Sequence, residues 1–399
     1  MIELDQKILE QILEIGGRLL TAGGEAKRVE STISRLCAAY GATSADVFVI
    51  TSSIVVTARF DDGEPMTQTK RINGYSQNLS EFNALNSLSR AICKNPISAD
   101  EIKQMLQNVQ HVRRSLPVKI VCWALVSASF SIFFGGSLMD GIVSAFMGIV
   151  LCLLKSSCEA LRLGNYFSII ICSVIGGLLS ILPGMAGLGV SQFYISIGSI
   201  MLFIPGMGLT NSIRDMLAGD TITGLLRFIE TLIVSMAVAC GFAAFATASD
   251  TTRSAHEIAQ LATAFFGSLG LAFIFNARVK NAIIGALCGL AGWGAVICCI
   301  RIFESELLGY FVAAALITLA AELLARIVLC PTTLFIVIAI LPLVPGKSLY
   351  VTMQYATKGL WDKFASQGIT TLIYAIAIAT GIMFMTAICD AVLKFKGNK

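Results

Sequence analysis

The 399-residue sequence is 56% hydrophobic and only 14% charged, which excludes an ordinary soluble globular domain and is typical of a membrane protein. The net charge of +4 at pH 7 is too small and too dispersed to indicate a nucleic-acid partner. The 12 cysteines have no paired Cys-x-x-Cys spacing, and most lie in or beside apolar stretches. They therefore predict neither disulfides nor a metal site, and no cofactor is expected.

Residues 1–116 predict a small α+β domain ahead of the membrane region. Helical periodicity over residues 5 to 22 and 25 to 40, separated by Gly23 and Gly24, predicts a helical hairpin. The N-terminus lacks the basic and apolar regions of a signal peptide. We therefore expect this domain to stay in the cytosol.

The rest of this domain predicts strands followed by two helices. Residues 46 to 60 are β-branched and aromatic, which predicts a strand, and a turn leads to a further strand near residues 67 to 72. Two amphipathic helices follow, over about 79 to 93 and 98 to 112. Ser98 with Glu101 three residues later predicts a capping box at the start of the second.

From Pro117 onward, apolar stretches long enough to cross about 30 Å of hydrocarbon follow one another. We predict ten spans, near residues 118 to 135, 139 to 154, 166 to 183, 189 to 204, 221 to 247, 259 to 276, 282 to 300, 306 to 325, 331 to 344 and 367 to 392. Several of them are short or broken, so nine or eleven spans remain alternatives. With the N-terminus in the cytosol, most Lys and Arg residues near the spans fall on the cytosolic side, which favours both termini inside.

A polar segment over residues 202 to 224 connects the fourth predicted span to the fifth. Pro205 and Gly206 should end one helix, and Thr210 or Asn211 could cap a short new one that ends at Gly219. Broken helices with ionisable residues are tolerated in membranes mainly where they line a polar cavity. This segment is therefore the first candidate for a substrate site.

The segment has a partial copy 140 positions later, in which Pro345 and Gly346 align with Pro205 and Gly206 without a gap. Gly219 and Gly241 likewise align with glycines, at positions 359 and 381. We therefore predict two five-span repeats, over residues 117–248 and 249–399. An odd number of spans makes the second repeat inverted, an architecture of secondary transporters in which the substrate binds near the midplane.

Residues 204 to 241 resemble the threonine/serine exporter family. The motif is Ile-Pro-Gly followed by Leu-Thr-Asn-x-Ile-Arg-Asp-Met-Leu-Ala-Gly-Asp. The segment from Leu19 to Glu30 and the hinge from Leu343 to Gly346 resemble the family as well, although Gly24 stands where alanine is expected. The resemblance covers nearly the whole chain and corresponds to the fused form of the large and small exporter chains. It implies export of threonine and serine driven by the proton gradient, with a succinate-like dicarboxylate as the alternative substrate.

Five residues are candidates for substrate binding. Arg214 could bind the carboxylate of a zwitterion and Asp215 its ammonium group, or both could anchor a cytosolic loop. Thr210 and Asn211 could bind substrate or only cap the helix. Lys347 in the second hinge could act together with Arg214, a pair of cations that suits a dicarboxylate, or could be a surface anchor.

Glu230 is the leading candidate for proton coupling and Asp215 the second. Arg227 and Glu230 are three residues apart on one helix face within an apolar span, where charged groups are expected to be paired or in contact with water. The alternative is that they form a structural pair between helices.

An enzymatic function is not expected. Glu25, Glu30 and Ser31 cluster on the second helix, but neither a nucleophile elbow, an HExxH motif nor a phosphate-binding glycine loop accompanies them. We expect a multi-pass protein of the plasma membrane whose partners are a small-molecule substrate, protons and the lipid bilayer. A passive channel and a membrane scaffold with a partner-binding cytosolic domain are the alternatives, and a homo-oligomer is left open.

Overall fold

The computed structural model describes residues 5–61, 64–72, 74, 77–109, 114–203, 206–243, 245 and 256–397. The chain forms two compact units. The first unit contains Met1–Arg113, Asp215–Arg227 and Phe275–Ala277, and the second contains Arg114–Arg214, Phe228–Ile274 and Arg278–Lys399. Two short segments from the later part of the chain therefore belong to the first unit.

The first unit combines four helices with a three-stranded antiparallel sheet of order β1-β2-β3. In chain order its elements are α1 (Gln6–Thr21), α2 (Ala26–Ala39), β1 (Ser44–Ile50), β2 (Ser53–Arg59), β3 (Met66–Arg71), α3 (Leu79–Lys94) and α4 (Ala99–Asn108). The predicted helical hairpin is confirmed, and so is the capping box, in which Ser98 and Glu101 bond reciprocally.

The single strand predicted over residues 46 to 60 is wrong, because this stretch forms two strands. Ile50 pairs with Ser53, so β1 and β2 are joined by the two-residue turn Thr51-Ser52. Side chains alternate along β2, where Ile54, Val56 and Ala58 are buried. The sheet thus contributes one apolar face to the core that α1 and α2 complete.

The second unit is built from apolar helices. In chain order the remaining helices are α5 (Leu116–Phe133), α6 (Leu138–Ala160), α7 (Asn165–Leu179), α8 (Leu182–Met185), α9 (Gln192–Ile200), α10 (Gly206–Leu217), α11 (Thr221–Ala243), α12 (Glu257–Ile274), α13 (Val279–Phe303), α14 (Glu306–Val328), α15 (Thr332–Ala339), α16 (Gly346–Thr357) and α17 (Trp361–Gly397). Asp215–Arg227, at the end of α10 and the start of α11, belongs to the first unit.

Among the described residues, 8 helical segments are long and apolar enough to cross a membrane. The two other predicted spans contain only the short helices α9, with 9 residues, and α15, with 8. A helix of that length extends about 13 Å, which is less than half of the hydrocarbon thickness. The ten-span count therefore stays a prediction, and the structure supports a helical multi-pass membrane protein.

The helices on either side of residues 246–255 have similar neighbours. Helix α5 packs against α6 and α9, and α12 packs against α13 and α15. Likewise α6 contacts α7 and α9, while α13 contacts α14 and α15. Helices α5 and α12 also pack against each other, with Gly267 facing Phe130 and Gly270 facing Val126. The proposed boundary between the repeats, at residues 248 and 249, lies outside the described residues.

Candidate functional site

Both predicted hinges lie between two short helices. In the first hinge, α9 ends at Ile200 and α10 begins at Gly206, while Pro205 lies outside the described residues. In the second, α15 ends at Ala339 and α16 begins at Gly346. The chain therefore breaks a helix twice, and each break precedes a helix of 12 residues.

The first hinge helix begins earlier than predicted. Because α10 starts at Gly206, Thr210 and Asn211 lie inside the helix, and the expectation that one of them caps it is wrong. The second hinge offers the physical reason. Pro345 precedes α16 with φ −76°, and a proline with that φ can begin a helix without a polar cap.

Each hinge helix is followed by a glycine with positive φ. Gly219 has φ 100° after α10, and Gly359 has φ 69° after α16. Glycine adopts this conformation without the steric cost that a side chain imposes. The predicted end of α10 at Gly219 is confirmed, and α11 begins at Thr221 directly after Asp220.

In the second unit, the two hinge helices share one hydrophobic cluster. Leu209 and Ile213 of α10 belong to it, as do Leu349, Tyr350 and Met353 of α16. All five side chains are buried. Leu209 and Leu349 are 140 positions apart, so equivalent residues of the two hinges lie in the same cluster.

Thr210 is the most informative of the predicted site residues on α10. It is 1% exposed, and its hydroxyl has no hydrogen-bond partner in the part of the chain that the structure describes. A buried hydroxyl without a partner costs about 1–3 kcal/mol, so this group is suited to a bound ligand or water. Asn211 and Arg214 are half-buried in the following turn.

Asp215 belongs to the first unit, where it pairs with Arg227. Arg227 Nη1 lies 2.8 Å from Asp215 Oδ2, and both side chains are buried. Arg227 Nη2 also donates to the Gly24 carbonyl over 3.3 Å. The turn that contains Gly24 is tight, because an added Cβ there would lie 2.8 Å from the Leu19 carbonyl oxygen. Arg227 thus connects the end of α10 with the turn between α1 and α2.

Val49 of β1 is held from two sides in the same unit. Its N–H donates to Glu30 Oε1 over 3.1 Å, and its carbonyl accepts from the Thr223 hydroxyl over 3.1 Å. Burial raises the pKa of Glu30, the Val49 N–H lowers it, and the nearby Asp220 carboxylate raises it further. These contacts join α2, β1 and the start of α11, and they are structural in character.

Glu230 lies on α11 beyond the residues that join the first unit. Its side chain is exposed on the protein surface, and its carboxylate lies within electrostatic reach of Tyr166 at the start of α7. Arg227 pairs with Asp215 in the first unit, whereas Glu230 belongs to the second.

Lys347 is the second residue of α16. Its ammonium lies 5.5 Å from the centre of the Phe134 ring, a cation–π contact. Further along α16, Ser348 and Thr352 bond to the Thr371 hydroxyl of α17 over 2.7 and 3.1 Å. Gln367 donates to Ser348 over 2.7 Å. The second hinge helix thus carries a polar network that the sequence analysis did not identify.

A buried group of serines in the second unit was also missed. Ser127 of α5 lies 2.8 Å from Ser144 of α6 and 3.4 Å from Ser199 of α9, hydroxyl to hydroxyl. Gly198 allows this approach, since an added Cβ would lie 2.3 Å from the Ser127 carbonyl. The hydroxyls of Ser131 and Ser268 are buried without a described partner. In the sequence these serines look like small residues that pack within apolar spans. Only the repeated occurrence of serine in several spans could have indicated a buried polar group.

These features define a class of protein. Within the described residues, no group of three or more His, Cys, Asp or Glu side chains could hold a metal ion. The second unit instead combines apolar membrane-length helices, two broken helices and buried hydroxyl groups. This combination is typical of a multi-pass membrane transporter.

Comparison with known proteins identifies the family. A family model for threonine/serine exporters matches residues 10–249, and a second model, "Threonine/Serine exporter, ThrE", matches residues 260–388. The chain belongs to the threonine/serine exporter family, and it is therefore a membrane transporter and not an enzyme. No solved structure matches it.

Individual relatives are distant in sequence. A "Threonine/serine exporter" of Corynebacterium glutamicum is 22% identical over 94% of this chain and 80% of its own length. "Probable succinate transporter subunit YjjP" proteins are also 22% identical: the one from Klebsiella aerogenes over 56% of this chain and 86% of its own length, and the one from Escherichia coli over 60% and 93%. The succinate-related proteins thus correspond to only part of this chain.

Proposed function

We propose that this protein exports threonine and serine from the cytosol across the plasma membrane, coupled to the proton gradient. The relative named for threonine and serine is similar over 94% of this chain, whereas the two named for succinate cover 56% and 60%. This difference supports the amino acids over a dicarboxylate as substrate.

The observation that carries the proposal is the pair of broken helices at equivalent positions. We count α9 with α10 as one broken crossing, and α15 with α16 as another. Each half of the chain then has five crossings. Because each half crosses the membrane an odd number of times, the second half is inverted relative to the first. Both termini then lie on the cytosolic side. The similar neighbours of the two sets of helices support this arrangement.

The first hinge helix is our proposed substrate site. Arg214 binds the substrate carboxylate, and Thr210 and Asn211 bind its polar groups. The buried, unpartnered hydroxyl of Thr210 supports a ligand there. Asp215 alternates between Arg227 and the substrate ammonium or a proton, while Pro205, Gly206, Pro345 and Gly346 allow the hinge helices to move. Lys347 contributes a cation in the second hinge.

Glu230 is our proposed proton-coupling group. A carboxylate on the surface of an apolar helix is expensive when it faces lipid as an anion, and protonation removes most of that cost. Its state of charge can therefore favour one transporter conformation over the other. Asp215 is the second candidate, because opening of its pair with Arg227 would expose a carboxylate to protons.

Efflux from proteoliposomes tests the proposed function. Vesicles are loaded separately with radiolabelled threonine, serine and succinate, and efflux is measured with and without an imposed proton gradient. We expect threonine and serine efflux that requires both the gradient and Arg214, so Arg214→Ala should abolish it. Lys358→Ala, which removes an exposed lysine at the end of α16, is the control.

Three results would contradict the proposal. Succinate efflux without amino-acid efflux would assign the chain to organic acids. Amino-acid flux that does not depend on the proton gradient would indicate a channel or a facilitator. The lack of flux for all three compounds from folded wild-type protein would leave no support for either substrate class.

A further inference from the structure

Two opposite charges and a set of aromatic rings come together in the second unit. Lys347 lies in the first turn of α16, Glu306 begins α14 and Phe134 directly follows α5. The Lys347 ammonium lies over the Phe134 ring, and the Glu306 carboxylate is close enough to act on it electrostatically. Three chain segments therefore converge on one place.

Lys347 and Glu306 do not form an ion pair. Within the described part of the chain, no nitrogen–oxygen distance of 4.0 Å or less joins the two side chains. Lys347 also donates no hydrogen bond to a described residue. Glu306 is exposed and Lys347 is half-buried, so both charged groups can be reached by a ligand. A separated pair is instead suited to a ligand that carries the complementary charges.

Glu306 is held in position from one side. The Tyr374 hydroxyl of α17 donates a hydrogen bond to Glu306 Oε2. The Tyr374 ring lies 4.7 Å from that of Tyr310, and the Tyr310 ring lies 6.4 Å from that of Trp293. These contacts orient one carboxylate oxygen and leave the other available for a ligand.

Aromatic rings form a continuous wall beside the two charges. Phe133 lies 5.0 Å from Phe134 and 4.6 Å from Trp293, centre to centre. The indole N–H of Trp293 donates to Gln260 over 3.2 Å, so its polar edge has a partner. The faces of these rings favour cations.

The first half of the chain has no equivalent of this site. The positions 140 residues before Lys347, Glu306 and Tyr374 are Met207, Tyr166 and Val234, which carry no charge. The charged pair is therefore a feature of the second half alone and is not required by the repeated architecture.

We propose that Lys347 and Glu306 form a binding site for a zwitterionic α-amino acid, built from residues other than those of the first hinge. The Lys347 ammonium and the N-terminal N–H groups of α16 bind the carboxylate, Glu306 binds the ammonium group, and Phe134 packs against the substrate. This inference rests on the proposed function and adds a second binding position to it. The site recognises the carboxylate and the ammonium group that all α-amino acids share. Other groups of the protein recognise the side chain of the substrate.

Binding to the full-length protein in lipid nanodiscs tests this site. Binding of radiolabelled threonine is competed by threoninol, which lacks the carboxylate, and by 2,3-dihydroxybutyrate, which lacks the ammonium group. The variants are Lys347→Met and Glu306→Gln, and they and their controls also carry Arg214→Ala so that the first hinge does not contribute to binding. Their controls are Lys363→Met, an exposed lysine 5.8 Å from the Tyr355 ring, and Glu304→Gln, an exposed carboxylate near Glu306.

Each variant should weaken threonine binding about tenfold or more, the size of a lost charged hydrogen bond. Lys347→Met should also abolish the preference for threonine over threoninol, and Glu306→Gln the preference over 2,3-dihydroxybutyrate. Lys347→Arg, which keeps the charge, should restore most of the binding and show that the site still folds. Binding at this site should survive Arg214→Ala.

Other outcomes overturn the inference in distinguishable ways. If wild-type protein exports threonine while Lys347→Met and Glu306→Gln bind as their controls do, the second site is wrong and the proposed function stands. Unchanged competitor preferences in weakened variants would likewise reject the site. If folded wild-type protein neither binds nor exports any α-amino acid, both the site and the proposed function are wrong.

Discussion

The guanidinium of Arg227 lies 2.8 Å from the carboxylate of Asp215, and both groups are nearly excluded from solvent, with side-chain exposures of 10% and 7%. The two residues belong to different helices, α11 and α10, and they enclose the turn at Gly219. The same arginine reaches the Gly24 carbonyl in the first unit. This pair therefore holds together the segment that follows the first hinge helix.

Replacing Arg227 by Met should destabilise the protein by about 3–5 kcal/mol, because a buried carboxylate loses its cationic partner. Thermal unfolding of the full-length protein in one detergent measures the effect. The double variant Arg227→Met with Asp215→Asn should recover much of the lost stability, since no buried charge remains. Equal destabilisation by the single and double variants would contradict this account.

Glu30 should make stability depend on pH. Burial and Asp220 raise its pKa above 4.5 in the folded protein, so folding is less favourable when this carboxyl is ionised. The Glu30→Gln variant keeps an acceptor for the Val49 N–H and should unfold at a higher temperature than wild type at pH 7.5. The difference should shrink as the pH falls through the raised pKa and vanish below 4.5.

Glu101 provides a control, because its replacement should change the unfolding temperature in the opposite direction. Hydrogen bonds from the Ser98 N–H and hydroxyl lower the pKa of Glu101, so its ionised form favours folding. Glu101→Gln should therefore lower the unfolding temperature at neutral pH, and the difference should shrink as the pH falls. A change of the same sign in both variants would contradict the assignment.

Gly219 and Gly359 should resist substitution because of their backbone conformation. An added Cβ meets no atom within 4 Å at either position, so any cost comes from the positive φ. We expect Gly219→Ala and Gly359→Ala to lose about 1–2 kcal/mol in thermal unfolding, with asparagine tolerated better. Gly184→Ala is the control, because Gly184 is equally open and lacks a positive φ. Equal tolerance at all three glycines would refute the explanation.

Gly241 and Gly381 should be intolerant for a different reason, which is helix contact. A Cβ on Gly241 would lie 2.5 Å from the Ser173 Cβ of α7, and one on Gly381 would lie 2.5 Å from the Phe311 carbonyl of α14. Alanine at either position should cost about 1–3 kcal/mol through overpacking. Gly294→Ala, whose nearest neighbour would be at 3.6 Å, should be mild. A large effect at only one of the two would weaken the proposed equivalence of the halves.

Glu230→Gln should reduce the dependence of threonine efflux on the proton gradient while leaving the folded protein intact. The physical reason is that glutamine cannot gain or lose the proton that we assign to this position. Proteoliposome efflux at several imposed gradients measures the effect, and Glu159→Gln, at an exposed carboxylate of α6, is the control. Unchanged gradient dependence in Glu230→Gln would reject this residue as the coupling group.

Local features of the fold could be predicted because neighbouring residues decide them. The capping box of Ser98 and Glu101 and the glycine that follows α10 involve contacts within a few positions. The apolar composition from Pro117 onward likewise indicates membrane-length helices. The split between β1 and β2 was missed because its turn, Thr51-Ser52, contains none of the residues that usually mark a hairpin.

The sequence by itself determined the membrane class, the two broken segments and the exporter family, since composition, periodicity and motif spacing are properties of the chain. Only the tertiary structure decided the partners of the charged groups. Asp215 pairs with Arg227 of the next helix, and Lys347 meets Phe134 from more than two hundred positions away. Spacing cannot reveal such partners, because they depend on which helices pack together once the apolar surfaces are buried.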